Sequence, residues 1–521
     1  MGAILFVAAA LALWVAVSRW RRPRLSYPPG PKPLPLVGNT FDVPVVRPWE
    51  TWTEWHKKYN SDLIFLDVPF QPTVIIGKVK TAEELFDKRS HLYSHRRRSI
   101  LVEMMNWDIN FALSPYGPDW RAHRRMLHPH VAQSTVERYK PLQLKHARAF
   151  MSWMLKSPEH TRKHIRHMVT SSLFAITYGK SIPSMDDEIV IAAERAMEGL
   201  SIITTPGAFW VEYFPFLRHI PSWVPGATAS KLADEFKPYI STARNKPFGE
   251  VETAMQDGSA PPSLVRTLIE DIQSKHGGTE EEGVQINLAK NVAVSAYAAG
   301  ADTTSVAMEF FLLAMALHPE KQRKAQAVVD DVVGPNRLPE FEDLKNMPYL
   351  RAVAMECLRW IPIGPFVIPH AVLEDDVYNG YHIPKGATVV ANAWAFMHDP
   401  EDYPEPELFK PERFLKEDES LNPAVRDPST ITFGFGRRVC PGQYVATNSI
   451  AIFIASLLHS FDITPGVDAS GKPVELTTEP IGNLVLMPRE IPLGIKVRSE
   501  TARRLINDEA AVELEGFPLP S

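Results

Sequence analysis

The pattern of hydrophobic and polar positions predicts a mostly helical chain with a short β-rich region near its beginning. Trp52, Trp55 and Tyr59 recur at helical spacing and predict a short amphipathic helix. Residues 63–68 and 73–76 are two runs of apolar and β-branched residues, and the segment between them has a proline at each end. These two runs predict a β-hairpin. Most of the middle of the chain follows the period of a helix.

A long apolar segment, residues 286–318, predicts one helix, and its composition also fits a second membrane span. Several polar and ionisable residues interrupt the segment, among them Lys290, Asn291, Asp302 and Glu309. Because ionisable groups are costly in a bilayer core, we expect a helix buried in the centre of the protein instead. A helix of about thirty residues would extend for roughly 45 Å. The acidic segment 277–283, bounded by glycines, predicts a linker before this helix.

The first residues predict a membrane anchor. Residues 3–17 are uninterrupted apolar sequence, and four arginines follow them: Arg19, Arg21, Arg22 and Arg24. This order predicts a transmembrane signal anchor over residues 1–20, with the remainder of the chain in the cytosol. A cleaved signal peptide is the alternative, but its positive charge would precede the apolar run. The basic and proline-rich residues 21–36 predict a stiff hinge. Residues 37–521 are expected to form the globular domain.

Composition excludes several classes of protein. Across 521 residues the net charge is −5, which gives no support for nucleic-acid binding. There are two cysteines, Cys357 and Cys440. A disulfide framework and a multi-cysteine metal site are therefore excluded. We interpret Cys357 as a small apolar residue and not as a ligand.

Cys440 lies in the sequence Phe-Gly-Phe-Gly-Arg-Arg-Val-Cys-Pro-Gly, which ends at Gly442. An amphipathic run from 444 to 461 follows, so the thiol is expected at the beginning of a helix with Pro441 at its first position. The positive end of that helix and the nearby Arg438 favour the thiolate. Backbone N–H groups directed at the sulfur would tune its electron donation. The alternative is a buried free cysteine beside a glycine-rich turn.

A second unusual stretch, residues 299–304, lies within the long central helix and reads Ala-Gly-Ala-Asp-Thr-Thr. Glycine and an acid in an apolar helix interior conflict with local preference, and such conflicts tend to mark function. Gly300 would let a flat ligand or dioxygen approach the backbone. A threonine hydroxyl here can bond to the carbonyl one turn earlier and open the helix locally. The alternative is a kink with a capped polar pair.

The pattern Phe-x-x-Gly-x-Arg-x-Cys-x-Gly resembles the haem-binding loop of the cytochrome P-450 family, and residues 299–304 match that family's oxygen-activation segment. The resemblance implies a mainly α (α+β) fold with a long central helix, a small β-rich portion and an N-terminal membrane anchor helix. Cys440 would be the axial ligand of the iron of haem b, within a loop that includes Phe433 and Gly434. Thr303 would hydrogen-bond dioxygen at the haem, and Asp302 would relay protons.

Further matches to the family follow in order along the chain. Glu356, Arg359 and Arg413 resemble a buried ionic cluster that braces the cysteine loop from beneath the haem. By the same resemblance, the residues that bind the haem propionates are Trp120, Arg124, His370 and Arg438. A solvent-facing loop histidine is the alternative for His370.

The resemblance also implies an apolar substrate pocket, suited to a lipophilic molecule, whose lining residues are Met104, Met105, Trp107, Phe111, Ala296, Ala299, Phe366, Val367 and Ile481. It implies that NADPH-cytochrome P-450 reductase supplies the electrons, with cytochrome b5 as a further candidate donor, because no flavin or nicotinamide motif is found. Arg121, Arg125 and Arg437 would receive the reductase, or they form a solvated basic patch. Aromatic residues between Pro206 and Pro225 either dip into the membrane surface or pack as a loop.

The expected activity is insertion of one oxygen atom from O2 into a lipophilic small molecule. The chain looks like a fungal microsomal member of the family, held in the endoplasmic reticulum membrane by a single span, with the catalytic domain in the cytosol. Many such members serve secondary metabolism, for example terpenoid or polyketide pathways. The alternatives are a monooxygenase that oxidises xenobiotics, a haem-thiolate isomerase or dehydratase that uses no external dioxygen, and a haem-binding sensor or membrane scaffold without turnover.

Overall fold

The computed structural model describes residues 25–203 and 209–514, with side chains up to residue 509. The helices in the described part are α1 (Pro48–Tyr59), α2 (Val79–Ala82), α3 (Ser90–Tyr93), α4 (Ile100–Met104), α5 (Pro118–Val131), α6 (Lys140–Lys156), α7 (Thr161–Tyr178), α8 (Glu188–Ile203), α9 (Thr228–Gln256), α10 (Leu264–His276), α11 (Glu280–Leu317), α12 (Pro319–Val333), α13 (Pro348–Trp360), α14 (Ala393–Met397), α15 (Ser429–Thr432), α16 (Gln443–Ser460) and α17 (Glu500–Leu514). The predicted mainly α fold with small sheets is confirmed.

Within residues 25–203 and 209–514, the strands are short and form four small sheets. Their bounds are β1 (Leu63–Leu66), β2 (Thr73–Ile76), β3 (His370–Ala371), β4 (Asp376–Tyr378), β5 (Tyr381–Ile383), β6 (Thr388–Ala391), β7 (Phe461–Pro465), β8 (Pro480–Ile481), β9 (Met487–Pro488) and β10 (Leu493–Val497). The largest sheet has the order β1-β2-β6-β3, and the other pairs are β7 with β10, β4 with β5, and β8 with β9.

The predicted hairpin and the helix before it are both confirmed. Strand β1 pairs antiparallel with β2, in a register that sets Leu63 opposite Ile76, and β2 pairs parallel with β6. Helix α1 begins at Pro48, a residue suited to the first helical turn because its missing N–H has no partner there. Its Trp52 is buried and lies edge-on to Phe366, which ties the N-terminal helix to the main core.

Helix α11 is the predicted central helix, and it is longer than the sequence pattern indicated. It runs for 38 residues and starts at Glu280, so the prediction of a linker over 277–283 is wrong for its second half. Three glutamates in the first turn explain the early start, because negative side chains are stabilised at the positive end of a helix. Within the described residues this is the one helix long and apolar enough to span a membrane, but 72% of its most apolar window is buried inside the protein. The prediction of a buried core helix is confirmed.

The two halves of α11 lie in different hydrophobic clusters. The N-terminal half, residues 289–297, packs with helices α7, α9 and α10, while residues 306–316 pack with α13, α16 and β7. Between them, residues 299–303 are accessible although both flanks are buried. This accessible interval separates the two packed halves of α11.

The predicted anchor, residues 1–20, lies outside the described residues. The described part of the predicted hinge rests against the first sheet. The N–H of Phe65 donates to the carbonyl of Pro29 at 2.9 Å, and the Tyr27 ring stacks on the Phe65 ring at 4.4 Å. The N–H of His382 donates to the carbonyl of Ser26 at 2.9 Å. Residues 26–30 are therefore fixed to the globular domain.

Candidate functional site

The loop that presents Cys440 has a fixed backbone conformation that requires glycine. Gly434 and Gly436 have φ of 78° and 54°, a region that side-chain-bearing residues rarely adopt. A Cβ atom on Gly436 would overlap the carbonyl oxygen of Phe86. The loop closes when the N–H of Cys440 donates to the carbonyl of Phe433 at 2.7 Å.

The thiol of Cys440 accepts hydrogen bonds from backbone N–H groups, as the sequence predicts. The donors are Gly442 and Gln443, at the start of α16. Burial raises the pKa of the Cys440 thiol, while these two hydrogen bonds and the charge of Arg124 lower it. The donors are arranged to stabilise a negative sulfur, which is the form that binds a metal.

Two details of the predicted surroundings of the Cys440 sulfur are wrong. Helix α16 begins at Gln443 with Gly442 as its N-cap, so Pro441 lies before the helix and not at its first position. The cation that acts on the sulfur is Arg124, because the guanidinium of Arg438 is directed elsewhere. Arg438 donates to the carbonyls of Ser94 (2.8 Å), Phe111 (3.2 Å) and Ser114 (2.8 Å).

Helix α5 carries two of the predicted cofactor-binding residues, one turn apart. Arg124 donates from Nη1 to the carbonyl of Val439 at 2.8 Å, which connects α5 directly to the cysteine loop. Trp120 is buried, and the guanidinium of Arg438 lies 4.5 Å from its ring centroid. The structure thus brings together Trp120, Arg124, Arg438 and Cys440.

His370 and Arg96 add to this cluster. His370 is buried on β3 and stacks on Phe86, and its Nδ1 atom donates a hydrogen bond to the carbonyl of Tyr93 at 2.6 Å. It is therefore not a solvent-facing loop residue. Arg96, which sequence reasoning missed, is also buried and donates to the carbonyls of Ile368 and Pro369. The signal that could have identified it is the run of three arginines that follows His95.

The charge balance of this cluster calls for an anion. Burial, together with the neighbouring cation, lowers the pKa of Arg96, and burial lowers that of Arg438 to about 9. Burial also lowers the pKa of His370, whose Nε2 atom has no hydrogen-bond partner in the described part of the chain. No carboxylate of the described residues forms an ion pair with Arg96, Arg124 or Arg438. Buried cations of this kind need a partner charge, and the two propionates of haem fit the requirement.

The predicted ionic cluster behind the loop is present. Glu356 and Arg359 are both fully buried, and Arg359 donates to both carboxylate oxygens of Glu356, at 2.7 and 2.9 Å. Arg413 lies 3.2 Å from the same carboxylate, and the N–H of Lys410 donates to it at 2.7 Å. Arg359 also binds the carbonyls of Met397 and Leu408, so the cluster joins α13 to the segment that precedes the cysteine loop.

On α11, the Thr303 hydroxyl donates to the carbonyl of Ala299 at 2.9 Å, as predicted, but the helix stays regular through this point and does not open. Asp302 forms an ion pair with Arg166 on α7 at 3.3 Å. Gly300 has a packing role that differs from the predicted one, since a Cβ atom there would lie 2.9 Å from a methyl carbon of Leu173. Helix α11 packs against α16, so Thr303 lies on the helix next to the one that directly follows the Cys440 loop.

The predicted pocket residues fall into two groups. Those that remain at least partly accessible are Met104, Ala296, Ala299, Val367 and Ile481. Those that are buried are Met105, Trp107, Phe111 and Phe366. Phe366 lies in the main core, and the indole N–H of Trp107 donates to the carbonyl of Ala196 on α8 at 3.2 Å. The buried group therefore holds the surrounding helices together.

The geometry agrees with the comparison to known families. The family model described as Cytochrome P450 matches residues 28–493. The chain belongs to the cytochrome P450 family. Haem is therefore its cofactor, and the chain is a cytochrome P450 monooxygenase.

Three relatives span nearly the whole chain. Cytochrome P450 monooxygenase COX2 of Coprinopsis cinerea is 38% identical over 97% of this chain and 95% of its own length. Cytochrome P450 monooxygenase ple1 of Rhodocybe pseudopiperita is 39% identical over 96% and 95%. Tryptamine 4-monooxygenase of Psilocybe cyanescens is 36% identical over 91% and 93%.

Proposed function

We propose that this cytochrome P450 inserts one oxygen atom from O2 into a C–H or C=C bond of a lipophilic small molecule, with electrons from NADPH delivered by a separate reductase. The observation that carries the proposal is the position of Cys440. Its sulfur accepts hydrogen bonds from two backbone N–H groups and lies near buried arginines that have no carboxylate partner among the described residues. When bound, haem supplies dioxygen activation, favoured by electron donation from a thiolate.

The protein side chains then have separate tasks. Cys440 would hold the iron, and the N–H groups of Gly442 and Gln443 would moderate the charge on its sulfur. Arg96 and Arg438 would neutralise the propionates, and His370 lies beside them as a neutral ring. Thr303 supplies a hydroxyl at the accessible interval of α11, and Asp302 exchanges protons with solvent through the polar residues around it. The intact Asp302–Thr303 pair favours oxygenation over a haem-thiolate isomerase.

For the substrate we propose a lipophilic product of secondary metabolism. The accessible residues of the predicted pocket include Met104, Ala296, Ala299 and Val367. Their side chains are apolar and cannot form hydrogen bonds that would select one substrate. One relative is named for tryptamine. A screen with terpenoids, polyketides and indole amines would therefore cover the proposed range.

Arg121, Arg125 and Arg437 are exposed on the side of the cysteine loop, and we propose that they receive an acidic reductase surface. Arg437 donates to the Tyr116 hydroxyl at 2.6 Å, and the guanidiniums of Arg437 and Arg121 lie 5.3 and 5.6 Å from the Tyr116 ring centroid. Tyr116 thereby holds two of the three arginines close together.

Charge reversal tests this docking surface. Arg121→Glu/Arg125→Glu should slow haem reduction by the reductase at low salt but not reduction by dithionite. The matched control, Lys231→Glu/Lys237→Glu, reverses two exposed charges on α9 and should leave both rates unchanged. Equal reductase rates in the two double variants would reject the proposed surface.

We further propose that the protein lies on the endoplasmic reticulum membrane with its catalytic domain in the cytosol. Four aromatic residues after α8 are exposed to solvent, by 68, 42, 67 and 81% respectively: Trp210, Phe214, Phe216 and Trp223. Exposed apolar patches of this kind mark membrane or protein contacts. Together with the apolar residues 3–17, they suit a lipid surface from which a lipophilic substrate could enter.

The activity is tested with ¹⁸O₂. The full-length protein, combined with reductase and NADPH, should convert at least one screened compound to a product that carries a single ¹⁸O atom. A product without label, or one that forms in the absence of NADPH, would instead indicate the isomerase class.

A further inference from the structure

Arg166 on α7 is shared between two carboxylates on different helices. Its Nη2 atom donates to Glu194 on α8 at 3.0 Å and to Asp302 on α11 at 3.3 Å. One nitrogen therefore serves both acids, and the shorter bond goes to Glu194. Arg166, Glu194 and Asp302 are all half-buried, so each can change partners without a large rearrangement.

Arg162 on α7 and Glu309 on α11 form a neighbouring ion pair in which the arginine contacts one carboxylate only. Arg162, one turn before Arg166, donates from Nε and Nη2 to a single oxygen of Glu309 at 2.8 and 2.7 Å. Arg162 also binds the carbonyl of Pro488 at 2.7 Å, and Glu309 is buried. The Arg162–Glu309 contact fixes α7 to α11, whereas Arg166 is divided between α11 and α8.

The three groups lie beside a small cavity whose lining is partly polar and partly apolar. Arg166, Glu194 and Asp302 line it together with the hydroxyl-bearing Thr170 and Ser305, and about 10 Å³ of it is open to a water-sized molecule. That volume is close to the minimum for one water, and several polar partners are available to hold it. Burial raises the pKa of Asp302, opposed by Arg166 and supported by Glu194 and Glu309. Asp302 is therefore balanced between a paired carboxylate and a group that can take up a proton.

We propose that Glu194 is a positioning residue for proton delivery, which draws Arg166 partly away from Asp302 so that the Asp302 carboxyl can exchange protons. The inference rests on the proposed monooxygenase function and assigns a further residue to it. Without Glu194, Arg166 would close onto Asp302 and hold it as a carboxylate, since an opposite charge at this distance favours the ionised form.

Helix α8 also connects this arrangement to the predicted pocket. The carbonyl of Ala196, two residues after Glu194, accepts the hydrogen bond from Trp107. At Gly199, a Cβ atom would lie 2.7 Å from the terminal methyl of Met105, so α8 and the segment that contains Met105 and Trp107 are in close contact. A substrate that displaces this segment would move α8, and with it the balance of Arg166 between its two partners.

The inference is tested by measuring how much of the consumed O2 is released as H2O2 and how much as water. This measurement needs no substrate. In the holoenzyme with reductase, consumption of one NADPH per O2 yields H2O2, while consumption of two NADPH and two protons per O2 yields two waters and needs protons delivered at the site. Glu194→Gln should raise the fraction released as peroxide several-fold. The matched control is Glu198→Gln on the same helix, whose carboxylate pairs with Arg195 at the surface. It should keep the wild-type ratio.

A double variant separates an effect through Arg166 from a general loss of structure. Arg166→Gln/Glu194→Gln should return the peroxide fraction toward the wild-type value, because no cation remains to hold Asp302. An unchanged peroxide fraction in Glu194→Gln, or a double variant that releases as much peroxide as Glu194→Gln, would overturn the inference.

A spectroscopic measurement keeps the inference testable even if the proposed function fails. In infrared difference spectra of the ferric enzyme, the carboxyl band of Asp302 is the band that is absent in Asp302→Asn. The intensity of this band is then measured as a function of pH. The charged groups near this carboxyl group are Arg166, Glu194 and Glu309, the last of these neutralised by Arg162. Glu194→Gln should lower the titration midpoint, Arg166→Gln should raise it, and Glu198→Gln should leave it unchanged. An unchanged midpoint in Glu194→Gln would refute the inference, whereas wild-type enzyme that consumes no NADPH with reductase and O2 would refute the proposed function alone.

Discussion

Arg124 donates a hydrogen bond to the backbone carbonyl of Val439, the residue directly before Cys440. The same guanidinium lowers the pKa of the Cys440 thiol, against the effect of burial. One side chain on α5 therefore both anchors the cysteine loop and supplies positive charge near its sulfur.

Replacement of Arg124 should weaken haem retention. In Arg124→Gln the loop loses a charged donor, and hydrogen bonds to charged groups contribute about 1.5–3 kcal/mol. Transfer of haem from the purified holoenzyme to apomyoglobin should therefore be about tenfold faster. Arg125→Gln, one residue further and exposed, is the matched control and should retain haem like the wild type. Equal transfer rates for the two variants would contradict the anchoring role.

Removal of the carboxylate at Glu356 should strongly destabilise the fold. Glu356→Gln leaves Arg359, which is fully buried, without its counter-charge. Breaking a buried ion pair in this way costs about 3–5 kcal/mol, measurable as a shift in urea-induced unfolding. Glu405→Gln removes an exposed partner of Lys410 and should leave the curve in place. If both curves coincide with that of the wild type, the cluster has no bracing function.

Gly436→Ala should disrupt the cysteine loop, because the new Cβ atom would overlap the carbonyl oxygen of Phe86 at a backbone position with φ of 54°. The expected result is protein with little bound haem, measured as the ratio of haem to polypeptide. Gly471→Ala is the matched control, since Gly471 also has a positive φ of 79° but faces open space. It should lose about 1 kcal/mol of stability and keep its haem. A fully loaded Gly436→Ala protein would show that the loop tolerates a side chain.

Acid should destabilise the protein in part through His146. Burial on α6, aided by the charge of Lys145, lowers the pKa of His146 from 6.5 to about 4. The unfolded chain takes up this proton below pH 6.5, and the folded protein takes it up only near pH 4. The free energy of unfolding should therefore fall by up to about 3 kcal/mol as the pH falls through this window.

Histidine replacements test the assignment. His146→Leu should show a shallower dependence of the free energy of unfolding on pH between 6.5 and 4 than the wild type. His91→Leu, at an exposed position, should keep the wild-type slope. A wild-type slope in His146→Leu would assign the acid sensitivity to other groups, of which His398, with its pKa lowered by burial to about 4, is the first candidate.

Local sequence patterns predicted the hairpin and helix α1 because each is set by residues close together in the chain. The cysteine loop was predictable for the same reason, since its glycines and Cys440 lie within ten residues of sequence. The start of α11 was misplaced because flanking glycines suggested a linker, while the glutamates at 280–282 stabilise the helix N-terminus.

Contacts between distant segments were harder to predict. Arg96 binds carbonyls more than 270 residues away, and Arg166 meets Asp302 across 136 positions. A single sequence has no periodicity that connects such pairs. For Gly300, the close approach of Leu173 from α7 likewise depends on how two helices pack and not on the residues around the glycine.

The carbon monoxide difference spectrum of the dithionite-reduced protein tests the central claim most directly, because a thiolate ligand gives the carbonyl haem a distinctive red-shifted Soret band. The wild type and Cys357→Ser, which alters the other cysteine, should both show this band, and Cys440→Ser should lack it. A wild-type protein that binds haem without the thiolate band, or a Cys440→Ser protein that retains it, would contradict the account.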